Sequence, residues 1–436
     1  MKNVNELFLV TLVSAALVSC GNEQLSDTSG EQIPVIGYEG IPTKLWAVEG
    51  YSLNDSYKDM ADAGFTTNIS LDISFHRGEP TPEEYFTTLD AAHANGMKVF
   101  ASSEAILNFS PEDVSRLVAH PALAGYRVWD EPRVDKYDTV GQVVRRVQAI
   151  DNTHPCYVNM FGMVGQSEQL RQFIEKVPVP QLSYDVYPVT LNPDGTRGIK
   201  GSLYGSLELF SREAKRANKP FWAFALCFNH WDYPVPTLAD LRLQVYSNLA
   251  YGAQAITYYS YWSLPMEFGW VKEEFQGPVS RDGKKTEIYY TVQAMNREIK
   301  TLSKVFLNAN MVWTAYAGVV PKVTGRNFSG PGGPGPGGPG GPGAPHHHPA
   351  NAAPHAEGDN DHPANHVRQS DPSLDCTPLS EIQLPEAVKS VEVADNRNAL
   401  VSYMEKGDDR FLVIVNQDLN SGPMQARMTG AKKTYL

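Results

Sequence analysis

Short apolar runs alternate with segments of helical spacing along most of the chain. The apolar runs are almost continuously hydrophobic, as in Phe221-Trp222-Ala223-Phe224-Ala225-Leu226, which is typical of parallel strands whose outer side is covered by helices. Successive runs begin about 20 to 40 residues apart, which is the size of a β–α unit. The predicted strands are Leu45–Tyr51, Thr66–Ile73, Lys98–Ser103, Ala124–Asp130, Cys156–Phe161, Gln181–Tyr187, Phe221–Phe228 and Ala255–Trp262.

Helical segments separate these strands, and several carry end signals. Ser110-Pro111-Glu112-Asp113 places a hydroxyl at an N-cap and carboxylates in the first turn. Gly64, Gly96 and Gly252 follow helical segments, where a C-terminal glycine is favoured. The predicted helices are Asp55–Ala63, Pro82–Asn95, Pro111–His120, Thr139–Ile150, Glu168–Val177, Leu207–Asn218, Thr237–Gly252 and Thr286–Phe306.

Eight such units predict a (β/α)8 TIM barrel, which we assign to residues 44–307. A doubly wound sheet also alternates strand and helix, but it usually has five or six strands and a glycine-rich phosphate turn. The sequence shows no such turn, so the barrel is the better interpretation.

The composition changes after the barrel. Residues 308–436 are predicted to form a small C-terminal β-sandwich-like domain with a low-complexity insert at about 329–375. Nine of the sixteen residues of Gly330–Pro345 are glycine and six are proline, and a histidine-rich segment follows at 346–366. We interpret the insert as solvated and disordered, with a divalent-metal tract as the alternative. The strands predicted around it are Met311–Val319, Leu400–Met404, Phe411–Asn416 and Met424–Met428.

The first twenty residues have the pattern of a signal peptide. An apolar stretch from Leu7 to Val18 is too short for a spanning helix, and Leu17-Val18-Ser19-Cys20 resembles a bacterial lipobox with Cys20 as the lipidated residue. We expect a tether at 21–43 and a lipid-anchored protein of the bacterial cell envelope, on the outer membrane at its periplasmic face or at the cell surface. A plain secretory signal or a short anchor is the alternative.

The net charge and the cysteine positions limit the classes of binding partner and metal site that the protein is expected to have. The formal net charge of −12 argues against nucleic acid or an anionic membrane surface, so contact with the membrane is expected only through the N-terminal lipid. Cys156 and Cys227 lie in apolar runs, and no cysteine or histidine spacing indicates a metal site. We predict no disulfide, no metal and no cofactor.

The active site of a TIM barrel forms at the carboxyl ends of its strands. The predicted ends carry carboxylates and aromatic rings and no lysine, which disfavours Schiff-base chemistry and phosphate substrates. Carboxylates for proton transfer beside flat rings are what cleavage of a glycosidic bond requires. These residues are Trp46, Glu49, Asp72, His76, Glu104, Asp130, Glu131, Asn159, Tyr184, Asp185, Tyr187, Asn229, His230, Asp232, Tyr259, Ser260, Tyr261 and Trp262.

Two adjacent acids close the fourth strand, in Val128-Trp129-Asp130-Glu131-Pro132. Partial desolvation and mutual repulsion should raise one of their pKa values, as a general acid requires at neutral pH. The structural alternative is that they pair with Arg127 or Arg133, or cap the following helix.

Several segments give the barrel a family likeness. The chain from about residue 44 to 307 resembles a clan A glycoside hydrolase barrel, close to family 42-like lipoproteins of gut Bacteroidetes. The matching segments are Val128–Pro132, Leu182–Pro188, Leu243–Ala253 and Ile256–Trp262.

The resemblance implies that Glu131 is the general acid/base, with Asp130 in the position where the clan commonly has asparagine. The clan's nucleophile is a glutamate at the end of strand seven, where this chain reads Ala225-Leu226-Cys227-Phe228-Asn229-His230-Trp231-Asp232. The nucleophile therefore has no counterpart here.

Asp185 is our first candidate for the second catalytic carboxylate, because the end of strand six points into the same mouth. Glu104 and Asp232 are the alternates. A separation of about 5–5.5 Å between the two carboxyl groups would indicate retention, and about 6.5–9.5 Å would indicate inversion. The residues expected to contact the carbohydrate are Asp130, Asn159, Tyr187, His230, Tyr261 and Trp262.

Two other functions stay open at this stage. The absent strand-seven glutamate favours a catalytically degenerate barrel that binds glycan without cutting it. A scaffold or adhesion lipoprotein, whose C-terminal β domain and Gly/Pro/His segment make the contacts, is the second.

Overall fold

The structure is a computed structural model, and it describes residues 32–43, 52–70, 80–162, 166–322, 375–386 and 388–429 together with the backbone of 7–12. Eight parallel strands close into a barrel, each paired with its neighbours in chain order and the last with the first. The predicted TIM barrel is confirmed. Its strands are β1 (Val35–Gly40), β2 (Thr67–Ser70), β3 (Lys98–Ser102), β4 (Leu123–Asp130), β5 (Cys156–Phe161), β6 (Leu182–Asp185), β7 (Phe221–Leu226) and β8 (Ala255–Tyr259).

The α-helices lie between and after these strands. Their caps follow the sequence signals: Thr81 and Thr237 each open a helix with a reciprocal capping box. The short helix after β3 is the one that the sequence analysis did not predict. The helices are α1 (Leu53–Asp62), α2 (Pro82–Ala94), α3 (Ser103–Asn108), α4 (Pro111–Ala119), α5 (Tyr137–Ile150), α6 (Ser167–Lys176), α7 (Ser202–Ala217), α8 (Leu238–Ala250) and α9 (Glu287–Phe306).

The first barrel strand differs from the prediction. The segment 45–51 lies outside the described residues, and the strand that pairs with β8 and β2 is β1, Val35–Gly40. The barrel therefore begins inside the range 21–43 that we assigned to a tether. Gly37 interrupts and Gly40 ends the hydrophobic run of β1, so the sequence pattern did not indicate a strand there. Gly40 is required by packing, because a Cβ there would lie 1.8 Å from Oδ1 of the buried Asn68, which accepts from the N–H of Ile41.

Aromatic side chains fill the barrel interior. Tyr38, Phe100, Tyr157 and Phe224 form a buried cluster with aliphatic residues of the strands, and Tyr157 stacks on Trp222 with ring centroids 5.7 Å apart. These rings make a solid floor, so polar groups beyond the strand ends are gathered above it.

Small sheets follow the barrel. β9 (Asn310–Ala317), β11 (Ala399–Lys406) and β12 (Asp409–Asn416) form an antiparallel sheet, and β10 (Ser390–Val393) pairs with β13 (Ala426–Thr429). Residues of both sheets share one apolar core, as the sandwich-like prediction requires. β10 was not predicted, and the predicted insert lies outside the described residues except for Asp375.

The sheet that contains β9, β11 and β12 packs one face on this apolar core and the opposite face against the barrel. Ser402 Oγ donates to the carbonyl of Ala250 at 2.7 Å, and the hydroxyls of Tyr251 and Tyr316 lie 2.9 Å apart. Cys376, which the sequence placed in low complexity, is buried at this contact.

The N-terminal segment Leu7–Leu12 supplies the fourth strand of that sheet, parallel to β12. It lies within the stretch that we interpreted as the apolar region of a signal peptide. Among the described residues, no helix combines the length and hydrophobicity needed to cross a membrane.

Candidate active site

Glu131 and Asp185 meet at the carboxyl-end mouth of the barrel, at the ends of β4 and β6. Their side chains are hydrogen-bonded to each other. The backbone N–H of Glu131 donates to the carbonyl of Asn159 at 2.9 Å, which continues the β4–β5 ladder one residue past the strand. The barrel geometry thus brings together the two acids that the sequence nominated for catalysis.

A chain of hydrogen bonds fixes Asp185 from below. Asn159 Nδ2 donates to Asp185 Oδ1 at 2.9 Å, and Ser183 Oγ donates to Asn159 Oδ1 at 3.0 Å. The hydroxyl of Tyr157 lies 3.0 Å from Ser183 Oγ. Asn159 is buried and its amide group bonds to both Asp185 and Ser183, so it positions Asp185. Contact of Asn159 with a substrate stays a prediction.

The pair holds a proton. Burial, followed by the charges of Asp185 and Asp130, raises the pKa of Glu131 well above its usual range. Burial and the charge of Asp130 raise the pKa of Asp185 to about 7, although hydrogen bonds from Asn159 and Glu131 oppose that rise. Glu131 is thus the donor of the pair and Asp185 the acceptor, which is the protonation that a general acid needs.

The raised pKa of Asp185 predicts a pH-dependent stability. The folded protein binds this proton more tightly than the unfolded chain, in which the pKa is near 3.8, so stability is lost as pH rises from about 4 to about 7. Asp185→Asn cannot ionise and should escape that loss. We expect the melting temperature of the variant, relative to wild type, to increase steadily between pH 4 and pH 8.

The matched control for this titration is Glu112→Gln, an exposed carboxylate on α4. Its melting temperature should track wild type across the same range. A difference between Asp185→Asn and wild type that stays constant with pH would contradict the assignment.

The two carboxyl groups lie closer than either predicted separation. Hydrogen-bonding contact between Glu131 and Asp185 leaves no space between them for an anomeric carbon or for a water molecule. As placed here, Asp185 is the proton acceptor of Glu131 and does not face it across a substrate. The role of Asp185 as the second catalytic carboxylate stays a prediction.

Asp130 has a different partner. Arg127, 8% exposed, places Nη2 at 3.8 Å from Asp130 Oδ2 and donates from the same nitrogen to the Tyr38 hydroxyl at 3.0 Å. Pairing with Arg127 was the structural alternative for the two acids, and it holds for Asp130. Arg133 instead lies 3.7 Å from Asp135. The two adjacent acids therefore have separate environments.

Backbone strain is concentrated at this mouth. Among the described residues, seven other than glycine have a positive φ, and four of them are asparagine or aspartate, which tolerate the left-handed region. The other three are Glu39 (φ 46°), Glu131 (φ 44°) and Trp231 (φ 49°). Glu39 lies one residue before the end of β1, Glu131 directly follows β4, and Trp231 lies in the loop after β7, which is typical of a site that a surrounding fold holds in place.

Aromatic rings form one wall of the mouth. Tyr187 and Tyr259 are both partly exposed and stack with centroids 5.6 Å apart and an interplanar angle of 20°. The charges of Glu131 and Asp185 contribute to raising the pKa of both hydroxyls, after burial. Tyr187 and Tyr259 thus line the mouth beside the two acids, and contact of Tyr187 with a substrate stays a prediction.

Tyr261 and Trp262 were expected to contact the substrate, and the structure places them elsewhere. They are 1% and 2% exposed, and Tyr261 packs edge-on against Phe65 at 5.0 Å, under α1. β8 ends at Tyr259, and the chain beyond it turns back onto β1, where the N–H of Tyr261 donates to the carbonyl of Tyr38. Both rings therefore belong to the core.

His230 lies beneath the surface and is 4% exposed. Its Nδ1 is 3.0 Å from the carbonyl oxygen of Phe228, so Nδ1 carries the proton, and burial lowers its pKa to about 4. The neutral ring packs against Trp231 and Tyr233 and so supports that loop. Contact of His230 with a substrate stays a prediction.

The alternate carboxylates lie away from the pair. Glu104 is exposed at the start of α3 and accepts from Asn108 Nδ2 at 2.7 Å. Asp232 is exposed in the loop after β7, 3.4 Å from Lys200 Nζ. The charges that act on Glu131 are those of Asp185 and Asp130. The rim candidates Trp46, Glu49, Asp72 and His76 lie outside the described residues.

Glu39 is a mouth carboxylate that the sequence analysis missed. It follows Tyr38 on β1, is 2% exposed, and its charge acts on both Tyr38 and Tyr259. The signal was the apolar run after Pro34, which we assigned to the tether. Within the described part of the chain, no group of three or more histidine, cysteine, aspartate or glutamate side chains is arranged to hold a metal ion.

Comparisons with known proteins give a fold likeness only. No family model matches the sequence, and no curated protein matches it. Solved structures similar to this chain include a beta-galactosidase from Halorubrum lacusprofundi (14% identity, 62% of this chain and 58% of that chain, TM-score 0.42). Others are an endo-beta-1,4-mannanase from Thermotoga petrophila (10%, 67% and 80%, 0.40) and a chitinase catalytic domain from Pyrococcus furiosus (12%, 62% and 96%, 0.41). Likeness at this level does not extend to activity or substrate.

Proposed function

We propose that this protein is a glycoside hydrolase that cleaves O-glycosidic bonds of an oligo- or polysaccharide, with Glu131 as general acid. The observation that carries the proposal is the Glu131–Asp185 hydrogen bond, in which burial and neighbouring charge keep the proton on Glu131. A protonated glutamate beside partly exposed tyrosine rings, at the active end of a TIM barrel, is the chemistry that glycosidic cleavage requires.

The proposed step begins with the proton on Glu131. When a glycosidic oxygen approaches, the Glu131 O–H turns from Asp185 to that oxygen, the bond from C1 to oxygen breaks, and positive charge develops on the sugar ring. Glu131 is left as a carboxylate. Asp185, held by Asn159, sets the starting position of the proton and disfavours its loss to solvent.

A second carboxylate must stabilise the cationic sugar or activate water. The described candidates at the mouth are Asp130, held by Arg127, and Glu39 at the end of β1. The configuration of the first-formed product, followed by proton NMR, distinguishes retention from inversion. Comparing Asp130→Asn with Glu39→Gln in that assay identifies which residue acts.

The direct experiment is a hydrolysis screen. Purified protein is incubated with soluble polysaccharides and with aryl glycosides of both anomeric configurations, and released reducing ends and aryl alcohol are measured beside Glu131→Gln. Cleavage by wild type that is lost in the variant supports the proposal. Cleavage that persists in the variant would exclude Glu131 as the acid.

A degenerate glycan-binding barrel is the second candidate. The observation that favours it is the end of β7, where Cys227 and Phe228 are buried and apolar in place of a nucleophilic glutamate. Binding of a glycan by wild type without any cleavage would establish this alternative.

We further propose that the protein is anchored in the bacterial cell envelope through Cys20. Cleavage before Cys20 would remove the Leu7–Leu12 strand and leave the edge of β12 open. We expect Cys20→Ala to release the protein from the membrane fraction on immunoblots of fractionated cells, with wild type retained. Equal retention of both forms would contradict lipidation.

A further inference from the structure

Two tryptophans extend the aromatic wall away from the catalytic pair. Trp231, in the loop after β7, is 65% exposed, and its ring lies 5.1 Å from that of Trp270, in the loop after β8. An indole ring with this exposure presents a large apolar face to water, which is uncommon unless a partner covers it. Neither residue was among the substrate contacts predicted from the sequence.

Trp231 is held in a hydrogen-bonded turn, and its backbone conformation is unfavourable for tryptophan. It lies at the tip of a tight turn closed by two backbone hydrogen bonds between His230 and Tyr233, of 3.2 and 2.8 Å. Its left-handed backbone, at φ 49°, would suit asparagine or glycine better than tryptophan. The folding of the turn therefore does not account for the indole.

The turn is held from two sides. The N–H of Leu191 donates to the carbonyl of Asp232 at 3.0 Å, and Lys200 Nζ donates to the Tyr233 hydroxyl at 2.9 Å. Beneath it, the His230 ring contacts Trp231 at 4.9 Å and Trp270 at 6.0 Å. The exposed ring is thus pre-positioned, so a ligand would not have to order it.

A series of ring contacts, which passes through the buried His230, links this pair to the catalytic mouth. Tyr187, beside Asp185, stacks on Tyr259, whose centroid is 6.3 Å from that of His230, directly under Trp231. The steps of about 5 to 6 Å between centroids are comparable with the length of one pyranose unit. A chain bound at Glu131 could therefore reach Trp231 a few sugar units away.

The charges at the mouth restrict the ligand. Arg127 and Lys200 are paired with Asp130 and Asp232, and Glu131 holds its proton, so Asp185 carries the negative charge at the centre. A uronate or sulfate group would be repelled by Asp185, and the two cations are already paired with carboxylates of the protein. Neutral pyranose rings place their C–H faces on indole without such a penalty.

We propose that Trp231 and Trp270 form a binding platform for a neutral, extended glycan chain, remote from the bond that is cleaved. This platform rests on the proposed glycan site at Glu131, and it implies a substrate of several sugar units. Affinity should therefore grow with chain length, and the platform should supply part of that growth.

The test uses Trp231→Asn, because asparagine keeps the left-handed turn while removing the ring. Trp231→Tyr restores a ring, and Tyr290→Asn removes a ring that is 54% exposed on the outer helix α9. Binding of neutral mannan, xylan, β-glucan and their oligosaccharides of two to eight units is measured by affinity electrophoresis and calorimetry, in the Glu131→Gln background so that ligands persist. Polygalacturonate is the anionic comparison.

We expect Trp231→Asn to weaken binding of the longest bound oligosaccharide by about tenfold and to flatten the dependence on chain length, with recovery in Trp231→Tyr. Tyr290→Asn should bind as the parent does. Chain-length-independent binding, an unaffected Trp231→Asn, no binding by any neutral glycan, or preference for polygalacturonate would each overturn the platform.

The outcomes separate the two proposals. Hydrolysis by wild type with no contribution from Trp231 removes the platform and leaves the hydrolase. Binding that depends on Trp231, with no hydrolysis by wild type, establishes the platform on a non-catalytic barrel.

Discussion

Glu131→Gln is expected to lower turnover of an unactivated glycoside by about a thousandfold or more, which is the largest change that we predict from a single side chain. The amide keeps the shape of the carboxyl group and can still donate to Asp185, so ligand binding and melting temperature should stay close to wild type. The proton that must reach the glycosidic oxygen is absent. Steady-state kinetics beside thermal unfolding separates these effects.

The leaving group provides an internal check on this prediction. An aryl glycoside with a strongly acidic phenol needs little protonation as it departs, so Glu131→Gln should lose far less activity on it than on an alkyl glycoside. Glu112→Gln, an exposed carboxylate on α4, is the matched control. Equal losses on both substrates would show that Glu131 does not act as the acid.

Arg127→Met should produce the largest loss of stability. Arg127 is buried, donates to the Tyr38 hydroxyl and lies 3.8 Å from Asp130. Removing it leaves Asp130 beside Glu131 and Asp185 with no compensating charge from β4. Breaking a buried ion pair costs about 3–5 kcal/mol, and the partial exposure of Asp130 (37% of its side chain) favours the lower end, about 3 kcal/mol.

The loss of stability in Arg127→Met should depend on pH and on the presence of the Asp130 carboxylate. Protonation of Asp185, whose pKa is raised to about 7 by burial and by the charge of Asp130, relieves its repulsion with Asp130, so the difference from wild type in melting temperature should shrink as pH falls. Arg127→Met with Asp130→Asn should recover part of the stability, and Arg127→Lys should lose less than Arg127→Met. A double variant no more stable than Arg127→Met would show that Asp130 is not the group Arg127 compensates.

Much of the barrel could be predicted because its signals are local. β5 was assigned at its exact residues, Cys156–Phe161, and β3 and β4 within one residue. Burial on both sides imposes near-continuous hydrophobic runs on such strands, and end caps mark the helices between them. β1 was missed because Gly37 interrupts and Gly40 ends a six-residue strand, and Gly40 leaves room for Asn68, which comes from the neighbouring strand β2.

The candidate site was predicted in part. Glu131 and Asp185 were named from their places at strand ends, and the barrel does bring them together. Their direct hydrogen bond was not predictable, because a position at a strand end indicates that two residues are near each other but does not set the distance between their carboxyl groups. Asn159 and His230 were assigned to the substrate because polar residues at a strand end face the mouth in general. In the structure, Asn159 donates to Asp185 and His230 Nδ1 donates to the carbonyl of Phe228.

The sequence by itself determined the eight-unit barrel, the adjacent acids at the end of β4 and the aromatic character of the mouth. Tertiary structure decided which of these groups are functional candidates. Tyr259 lines the mouth and Tyr261 is buried under α1, although both come from one aromatic run, because the chain turns at the end of β8. Hydrophobic patterns report the local backbone, whereas exposure, proton position and ion pairing depend on residues that only barrel closure brings into contact.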